Sequence, residues 1–569
     1  MINIKENEQL NMLNHSCAHL LAHAIKNLFP HALFWVGPVI DNGFYYDMDL
    51  GKDTILEEDL ERIELEMKRI SKENLPIIRE ELSKSVALEK FKNDSYKIDL
   101  IKKLADDEII TIYRQGDFAD LCRGPHVRYT SNIKHFKLLK VSGAYFEGDS
   151  SKQVLQRIYG ICFETKEELT NYLNLIEEAK KRDHRKLGRE LDLFMMSEYG
   201  PGFPFWLPKG LILRKQLEEY WFFEHEKAGY QFIQTPIMLN KELWEISGHW
   251  FNYKENMYTS KIDDREFAIK PMNCPGGILV YKNNLHSYKD FPLRVGELGL
   301  VHRHEASGAL SGLFRVRNFT QDDAHIYLTE DMIENELLDL FKLFDRVYKK
   351  FGLNYYVELS TMPEKHIGDP LTWEKAEKAL ANVATKMGID LKINPGDGAF
   401  YGPKLDFQLT DSLGRVWQCG TIQLDMNLPE RFDLTYINEQ GEKVRPVMIH
   451  RTVYGSIERF IGILIEHYAG AFPTWLAPVQ VTLIPVNNEL HLEYVNMVAE
   501  ELKKHHIRVE IDKRDEKLGL KIRNSQMNKT PYLLVLGDKE MTDKNVNVRR
   551  YGETNNESMS LNEFINKIK

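Results

Sequence analysis

Arg303, Glu305, Gln321, Asp323 and His325 all fall in one stretch, HRHEASGALSGLFRVRNFTQDDAH, from His302 to His325. Arginine forks onto phosphates and carboxylates through paired N–H groups. Histidine ligates metals. Written as two extended runs around a loop, the stretch has a period of two. Val301, Arg303 and Glu305 then share one face of the incoming run. Phe319, Gln321, Asp323, His325 and Tyr327 share one face of the outgoing run. The loop carries Ser307, Gly308, Ser311, Gly312, Arg315 and Arg317. A solvated antiparallel hairpin would also show a polar face, whereas a buried one would alternate apolar and polar residues. An anion binder beside a metal-ligand type favours a site for an anionic substrate.

A second group lies near the N-terminus. In LNHSCAHLLAHAIKNLF, His15, His19 and His23 are spaced i, i+4 and i+8, on one helix face. In DFADLCRGPHVRYT, Cys122 and His126 are four apart, with Asp120 just before them. Two of these histidines and the Cys/His pair could hold zinc, handle a water for hydrolysis, or form a satisfied structural cluster, and imidazoles serve all three. Lys97 and the run Gly43–Tyr46 lie in the same region. Cys274 alone reads as a small core residue. Arg459 in the first turn of a helix opposes the helix dipole, so it is either simply exposed or paired with an anion.

These residues need elements to carry them. Residues 53–80 read as a solvated amphipathic helix stopped by Pro76. Residues 166–190 read as one long helix with a basic end, a linker or a phosphate-contact patch. QFIQTPIML reads as a strand carrying Pro236, an edge or interface feature, and Cys274 falls in a turn after a short strand. GAFYGPKLDFQL puts Lys404, Asp406 and Gln408 on one strand face. RVWQCGTIQLD reads as a strand with a bulge at Gly420. PVMIHRTVYGSIERFIGILIEHYAG reads strand, turn at Gly455, helix. From Ala477 onward strands alternate with helices, which predicts a β-α-β-α-β domain on a parallel sheet.

Composition sets the outer bounds. The chain has 569 residues, 43% hydrophobic and 28% charged, with net charge -10. That is material for three or four globular domains. The net charge gives no global pull toward nucleic acid, yet phosphate binding needs only a local basic face. Five scattered cysteines argue for a reducing compartment. A polar N-terminus and no long apolar run predict a cytoplasmic protein without a membrane partner.

Several motifs in fixed order carry a resemblance over essentially the whole chain. QTPIML looks like motif 1, the Arg303–Arg315 stretch like motif 2 and GSIER (455–459) like motif 3 of class II aminoacyl-tRNA synthetases. KPMNCPGG, FTQDDAH, AFYGPK, WQCGTIQLD and MIHR are similar to the threonyl-tRNA synthetase family. The resemblance implies an α+β multidomain protein: an α+β editing domain (1–165), a linker helix (166–190), a class II catalytic domain on a six-stranded antiparallel sheet (191–476) and a C-terminal α/β anticodon-binding domain (477–569). It implies a homodimer, with ATP, L-threonine and threonine tRNA as substrates.

It also assigns residues. Cys274, His325 and His450 would hold one zinc ion per subunit, and magnesium would enter with ATP. Arg303 would grip the α-phosphate and carboxylate, Arg459 the ATP phosphates and Arg315 the γ-phosphate end, with Glu305 near the adenine. Gln321, Asp323, Tyr401 and Gln423 would line the threonine pocket, with Lys404, Gln418 and Thr421 around the adenylate. His15, His19, Lys97, Asp120, Cys122 and His126 would form an editing site, metal-free in the family, that hydrolyses seryl-tRNA. Asp515, Glu540 and Arg549 match anticodon-reading positions. Two departures stand out. His15 arrives almost at once, which implies that an N-terminal ubiquitin-like domain is absent. Asp515 replaces a usual Asn, and so accepts but does not donate hydrogen bonds.

Overall fold

The computed structural model describes residues 3–149 and 151–568. The chain divides into two compact units, Met1–Glu178 and Ala179–Lys569. Among the described residues, no helix is long and apolar enough to cross a membrane.

The first unit is built on helix α1 (Glu8–Leu28), capped by the Asn7 side chain. One side of α1 packs Leu13, Cys17, Leu20, Leu21 and Ala24 into a core with helix α2 (Leu60–Lys72) and a five-stranded sheet. That sheet runs β1 (Leu33–Phe34), β3 (Gly43–Asp49), β8 (Val154–Phe163), β7 (His135–Tyr145), with β2 (Val39–Ile40) also on β3. A smaller antiparallel sheet, β4 (Ile77–Leu82), β5 (Ile110–Gln115) and β6 (Phe118–Leu121), delivers Asp120 and Cys122. Helix α3 (Ser95–Lys102) delivers Lys97. The solvated helix expected over 53–80 is shorter, because its second half turns into β4 after Pro76.

The linker expected as one helix is two, α4 (Lys166–Arg182) and α5 (His184–Glu190). Asp183 breaks it: its backbone leaves the helical region (ψ 120°), and its carboxylate accepts the Arg185 N–H at 2.8 Å as a new N-cap.

The second unit centres on an eight-stranded sheet. In spatial order it is β9 (Gln231–Phe232), β10 (Leu293–His302), β11 (Asn318–Leu328), β16 (Val447–Thr452), β15 (Val416–Asp425), β14 (Lys404–Thr410), β12 (Asn354–Ser360) and β13 (Leu391–Asn394). The six inner strands are antiparallel, and a parallel strand is added at each edge. The expected strand through Pro236 does not form as one piece. It stops at Phe232 and resumes at Met238–Asn240 in another sheet, because proline cannot donate to a ladder. Cys274 begins helix α6 (Cys274–Lys282), with Pro275 in its first turn, rather than sitting in a free turn. The β14–β15 register shifts beside Gly420, leaving Cys419 as the extra residue of a bulge. Helix α7 (Ile457–His467) buries Ile457, Phe460, Ile461 and Leu464 at helical spacing and starts at a Ser456 cap.

The C-terminal part has its own core around Val481, Leu483, Val498 and Leu534. Its sheet runs β18 (Val509–Ile511), β17 (Val481–Pro485), β19 (Tyr532–Leu536), β20 (Asn545–Arg550), β21 (Asn556–Ser560). The first three are parallel, as the alternating pattern predicts; the last two pair antiparallel, β20 reached through a short helix (Asp538–Asp543) and β21 through a hairpin.

Candidate active site

The β10–β11 hairpin sets the register. Val301 pairs with Phe319, Gly299 with Gln321, Glu297 with Asp323 and Val295 with His325. The glycine opposite Gln321 leaves room for Asn273, whose amide oxygen would lie 2.1 Å from a Cβ at Gly299. A cavity of about 650 Å³ opens over this face. Cys274, Arg303, Glu305, Arg315, Gln321, Asp323, Tyr401, Gln418, Thr421, Gln423, His450 and Arg459 all line it.

At one end lies a thiol–imidazole group. Cys274, His325 and His450 are buried, and one ligand atom from each lies within 4.8 Å of the others. His450 reaches this group because β16 pairs with β11 in a register that puts His450 opposite His325. Its Nε2 is 2.8 Å from Asp425 Oδ2. A carboxylate on one imidazole nitrogen prepares the other as a ligand. His325 Nε2 is buried with no protein partner. Burial, with Asp323 and Asp425 nearby, pushes the Cys274 thiol well up. A buried thiol, an unpartnered imidazole nitrogen and a carboxylate-backed histidine fit a soft divalent cation. Asp323 beside them is lifted to about 6 by burial and accepts from Asn273 at 3.3 Å. Tyr401 donates to Gln423 at 2.5 Å.

At the other end the charge is cationic. The Arg303 guanidinium lies over the rings of Phe319 and Tyr253, 5.1 and 5.6 Å from their centroids, and Nε donates to the Pro271 carbonyl. Those contacts aim the fork into the cavity. Arg315 Nε is 2.9 Å from Glu305 Oε2. The Arg459 amide closes the Ser456 cap, and its Nε is buried without a protein partner. Gln418 and Thr421 donate to Asp406 Oδ1 at 2.8 and 3.1 Å, and Lys404 sits 2.7 Å from Asp406 Oδ2. Lys404 is therefore one side chain back from the cavity wall.

The first unit holds a second cluster beside a cavity of about 390 Å³. Cys122 Sγ is 3.1 Å from both His15 Nε2 and His126 Nε2. Ser16 Oγ is 3.0 Å from His126 Nδ1. Asp120 is buried against Lys97 at 2.5 Å, takes the Tyr46 hydroxyl, and lies 4.0 Å from His19. Burial holds the His15, His19 and His126 imidazoles below their ordinary range and pushes the Cys122 thiol up to about 12. The third histidine of the face, His23, turns away: it stacks on Phe118 and meets Gln115 at 3.2 Å.

Family models match residues 110–159 as a threonyl and alanyl tRNA synthetase second additional domain. They match 258–468 as a tRNA synthetase class II core domain (G, H, P, S and T) and 480–569 as an anticodon binding domain. A threonine–tRNA ligase of Acetivibrio thermocellus is 58% identical over 557 residues, 97% of this chain and 87% of that protein. The chain belongs to the threonyl-tRNA synthetase family. A threonine–tRNA ligase of Fusobacterium nucleatum is 57% identical over 568 residues, 99% of this chain and 91% of its own. A crystal structure of the RNA binding domain of threonyl-tRNA synthetase from Cryptosporidium parvum superposes with a TM-score of 0.66 and 41% identity. It covers 68% of this chain and 97% of that one.

Three buried residues of this threonyl-tRNA synthetase site escaped the sequence reading. His249 lies 2.9 Å from Met272 Sδ and 4.0 Å from Cys274 Sγ. Asp425 closes a strand already singled out. Asp322 accepts the backbone N–H groups of Val453, Tyr454 and Gly455. Only Asp425 had a sequence signal, as the acidic end of WQCGTIQLD. In the C-terminal part, Glu540 accepts the Gly537 N–H at 3.0 Å, and Arg549 on β20 donates to the Glu553 carbonyl at 3.1 Å. Asp515 is exposed in the loop after β18.

Proposed function

We propose that the chain ligates L-threonine to its tRNA through a threonyl-adenylate made from ATP, and hydrolyses mischarged seryl-tRNA. The observation that carries this is one cavity with arginines at one end and a thiol–imidazole triad at the other. The threonine carboxylate attacks the α-phosphate, and pyrophosphate leaves. Arg303 holds the α-phosphate and carboxylate together; Arg459 and Arg315 hold the outer phosphates, and Glu305 faces the adenine. Such a step is mostly positioning and charge stabilisation by fixed groups. Magnesium enters with ATP. The tRNA's terminal ribose hydroxyl then attacks the adenylate carbonyl and AMP leaves, with Gln418 and Thr421 beside the adenylate and Lys404 behind them, acting through Asp406.

Cys274, His325 and His450 would hold zinc, which supplies Lewis-acid coordination for the amino acid's amine and hydroxyl when bound. Asp323, Tyr401, Gln321 and Gln423 surround the same position. Valine lacks the hydroxyl and leaves these groups unpaired, so it is rejected strongly. Serine loses only a methyl, worth ~1–3 kcal/mol, which makes a second sieve necessary. His15, His19, Cys122, His126, Asp120 and Lys97 form that sieve. A thiol pushed up to about 12 is no nucleophile at neutral pH. In this reading the neutral imidazoles beside it orient the water that attacks the ester. Residues 1–165 carry editing, 166–190 link, 191–476 catalyse, and 477–569 read the anticodon through Glu540, Arg549 and Asp515. The protein acts in the cytoplasm as a homodimer joined through the segment around Pro236.

Amino-acid-dependent ATP–pyrophosphate exchange tests the reading. Exchange with threonine, weaker exchange with serine and almost none with valine is expected. Exchange with proline, or none with threonine, would sink it.

A further inference from the structure

His184 opens helix α5 in the basic linker segment and does not line the active-site cavity. Its ring is 2% exposed. Nδ1 lies 2.7 Å from Glu466 Oε1, which also accepts the His184 backbone N–H at 3.0 Å. Glu466 is held in turn by Arg415 at 2.5 Å. Nε2 lies 3.0 Å from the Leu313 backbone N–H. An amide N–H only donates, so Nε2 is the bare nitrogen and Nδ1–H donates to the carboxylate. Asp183, His184 and Glu466 offer a metal-like donor set. Both ring nitrogens are already engaged, however, and no imidazole lone pair remains for an ion.

The contacts on the two sides differ in kind. Glu466 stands in the last turn of α7, the helix that carries Arg459. Leu313 stands in the loop between β10 and β11. The His184 ring also packs on Phe314, centroids 4.0 Å apart, and Phe314 lines the cavity beside Arg315. Phe314 stacks further on Trp417 at 4.3 Å. The loop closes tightly over the ring: Gly312 has φ +50°, and a Cβ there would fall 2.2 Å from His184 Nε2.

We propose that His184 is a positioning residue for ATP. Its imidazole ties the last turn of the Arg459 helix to the loop Ser311–Arg315, and so sets Phe314 and Arg315 against the nucleotide end of the cavity. The proposal rests on the assignment of that end to ATP. Wild-type exchange with threonine checks that assignment separately, before any variant is compared.

His184→Asn keeps an N–H near Glu466 but has no acceptor that reaches Leu313. His184→Gln extends an acceptor further. In ATP–pyrophosphate exchange, His184→Asn should raise the KM for ATP about tenfold, the effect of one lost buried hydrogen bond. The KM for threonine, bound zinc and melting temperature should stay near wild type, and His184→Gln should recover most of the loss. An unchanged ATP KM in folded His184→Asn overturns the proposal. So does a parallel loss of ATP KM, threonine KM and melting temperature, which marks a merely structural role. If His184→Asn does not fold, Gly312→Ala, which presses on the same nitrogen, decides: a normal ATP KM there overturns the proposal, and an ATP-specific rise upholds it.

Discussion

Asp322 offers a test in which stability and activity should separate. Its side chain is fully buried on β11, beside Gln321 and Asp323. Oδ2 accepts the N–H groups of Val453 and Tyr454, and Oδ1 that of Gly455, each at 2.9 Å. One carboxylate thus shapes the turn that leads into Arg459. Gly455 sits at φ +82°, where a Cβ would lie 2.5 Å from the Cys419 carbonyl, so the turn has little room to relax. Asp322→Asn keeps one oxygen, enough for Val453 and Tyr454, but sets an NH2 against the Gly455 N–H. Losing that charge-assisted bond costs the turn about 1.5–3 kcal/mol. Burial lifts the Asp322 carboxyl from 3.8 to about 6, so keeping it ionised at pH 7.5 costs the whole fold on the order of 3 kcal/mol. The neutral amide removes that cost. The two effects oppose each other in global stability, and only the loss acts on Arg459. The melting temperature should therefore shift by a few degrees at most, while the KM for ATP in exchange rises roughly ten- to hundredfold. Asp322→Asn with a normal ATP KM would refute the reasoning, and so would a collapse in melting temperature with normal kinetics.

Asp425→Asn removes the carboxylate behind His450 and should weaken zinc retention about 10–100-fold, read by metal analysis during chelator competition; unaltered retention would count against the triad as the metal site. The double variant Cys122→Ala/His19→Ala should accumulate seryl-tRNA while threonylation survives, and a double variant that still clears seryl-tRNA would reject the editing assignment. Glu458 is buried in α7, 3.0 Å from Arg214, and burial raises its carboxyl from 4.5 to about 7. A raised carboxyl contributes stability that is full below pH 4.5 and fades as pH rises through about 7. Glu458→Gln has no such titration, so its stability relative to wild type should climb by on the order of 3 kcal/mol from pH 4.5 to 7.5. Parallel stability–pH curves for the two proteins would contradict this.

How much was legible in the sequence depends on whether a residue's partner lies within one element. The period of two placed Gln321, Asp323 and His325 on one face because a strand alone dictates it, and β11 has that face on the cavity. Helical spacing likewise put His15 and His19 together. It put His23 with them too, and there it misled, because Phe118 and Gln115, from a distant hairpin, decide where that ring turns. Breaks were harder still. Asp183 ends a helix that charge patterning runs straight through, since an N-cap competes with helix continuation by a local hydrogen bond that composition does not reveal. Pro236 read as an edge or interface feature within one strand, and neither the break nor the change of sheet that follows it was legible.

The residues least legible are those that act across elements on backbone atoms. Asp322 reads as one more acid in FTQDDAH, and nothing in its own segment marks it from Asp323. The period of two puts it on the opposite face from the pocket, which reads as dispensable. That face is where β11 meets the turn before α7, so the side chain turned from substrate is the one that shapes the turn leading to Arg459. His184 follows the same logic from a segment with no pocket residue at all: one nitrogen serves the end of α7, the other the β10–β11 loop. Asp322 takes three main-chain N–H groups and His184 Nε2 takes one, and such donors are present at every residue but proline, so no residue type announces the partnership. Sequence motifs report the side chains that touch substrate; the groups that hold those side chains at the right distance become visible only when backbone hydrogen bonds are counted.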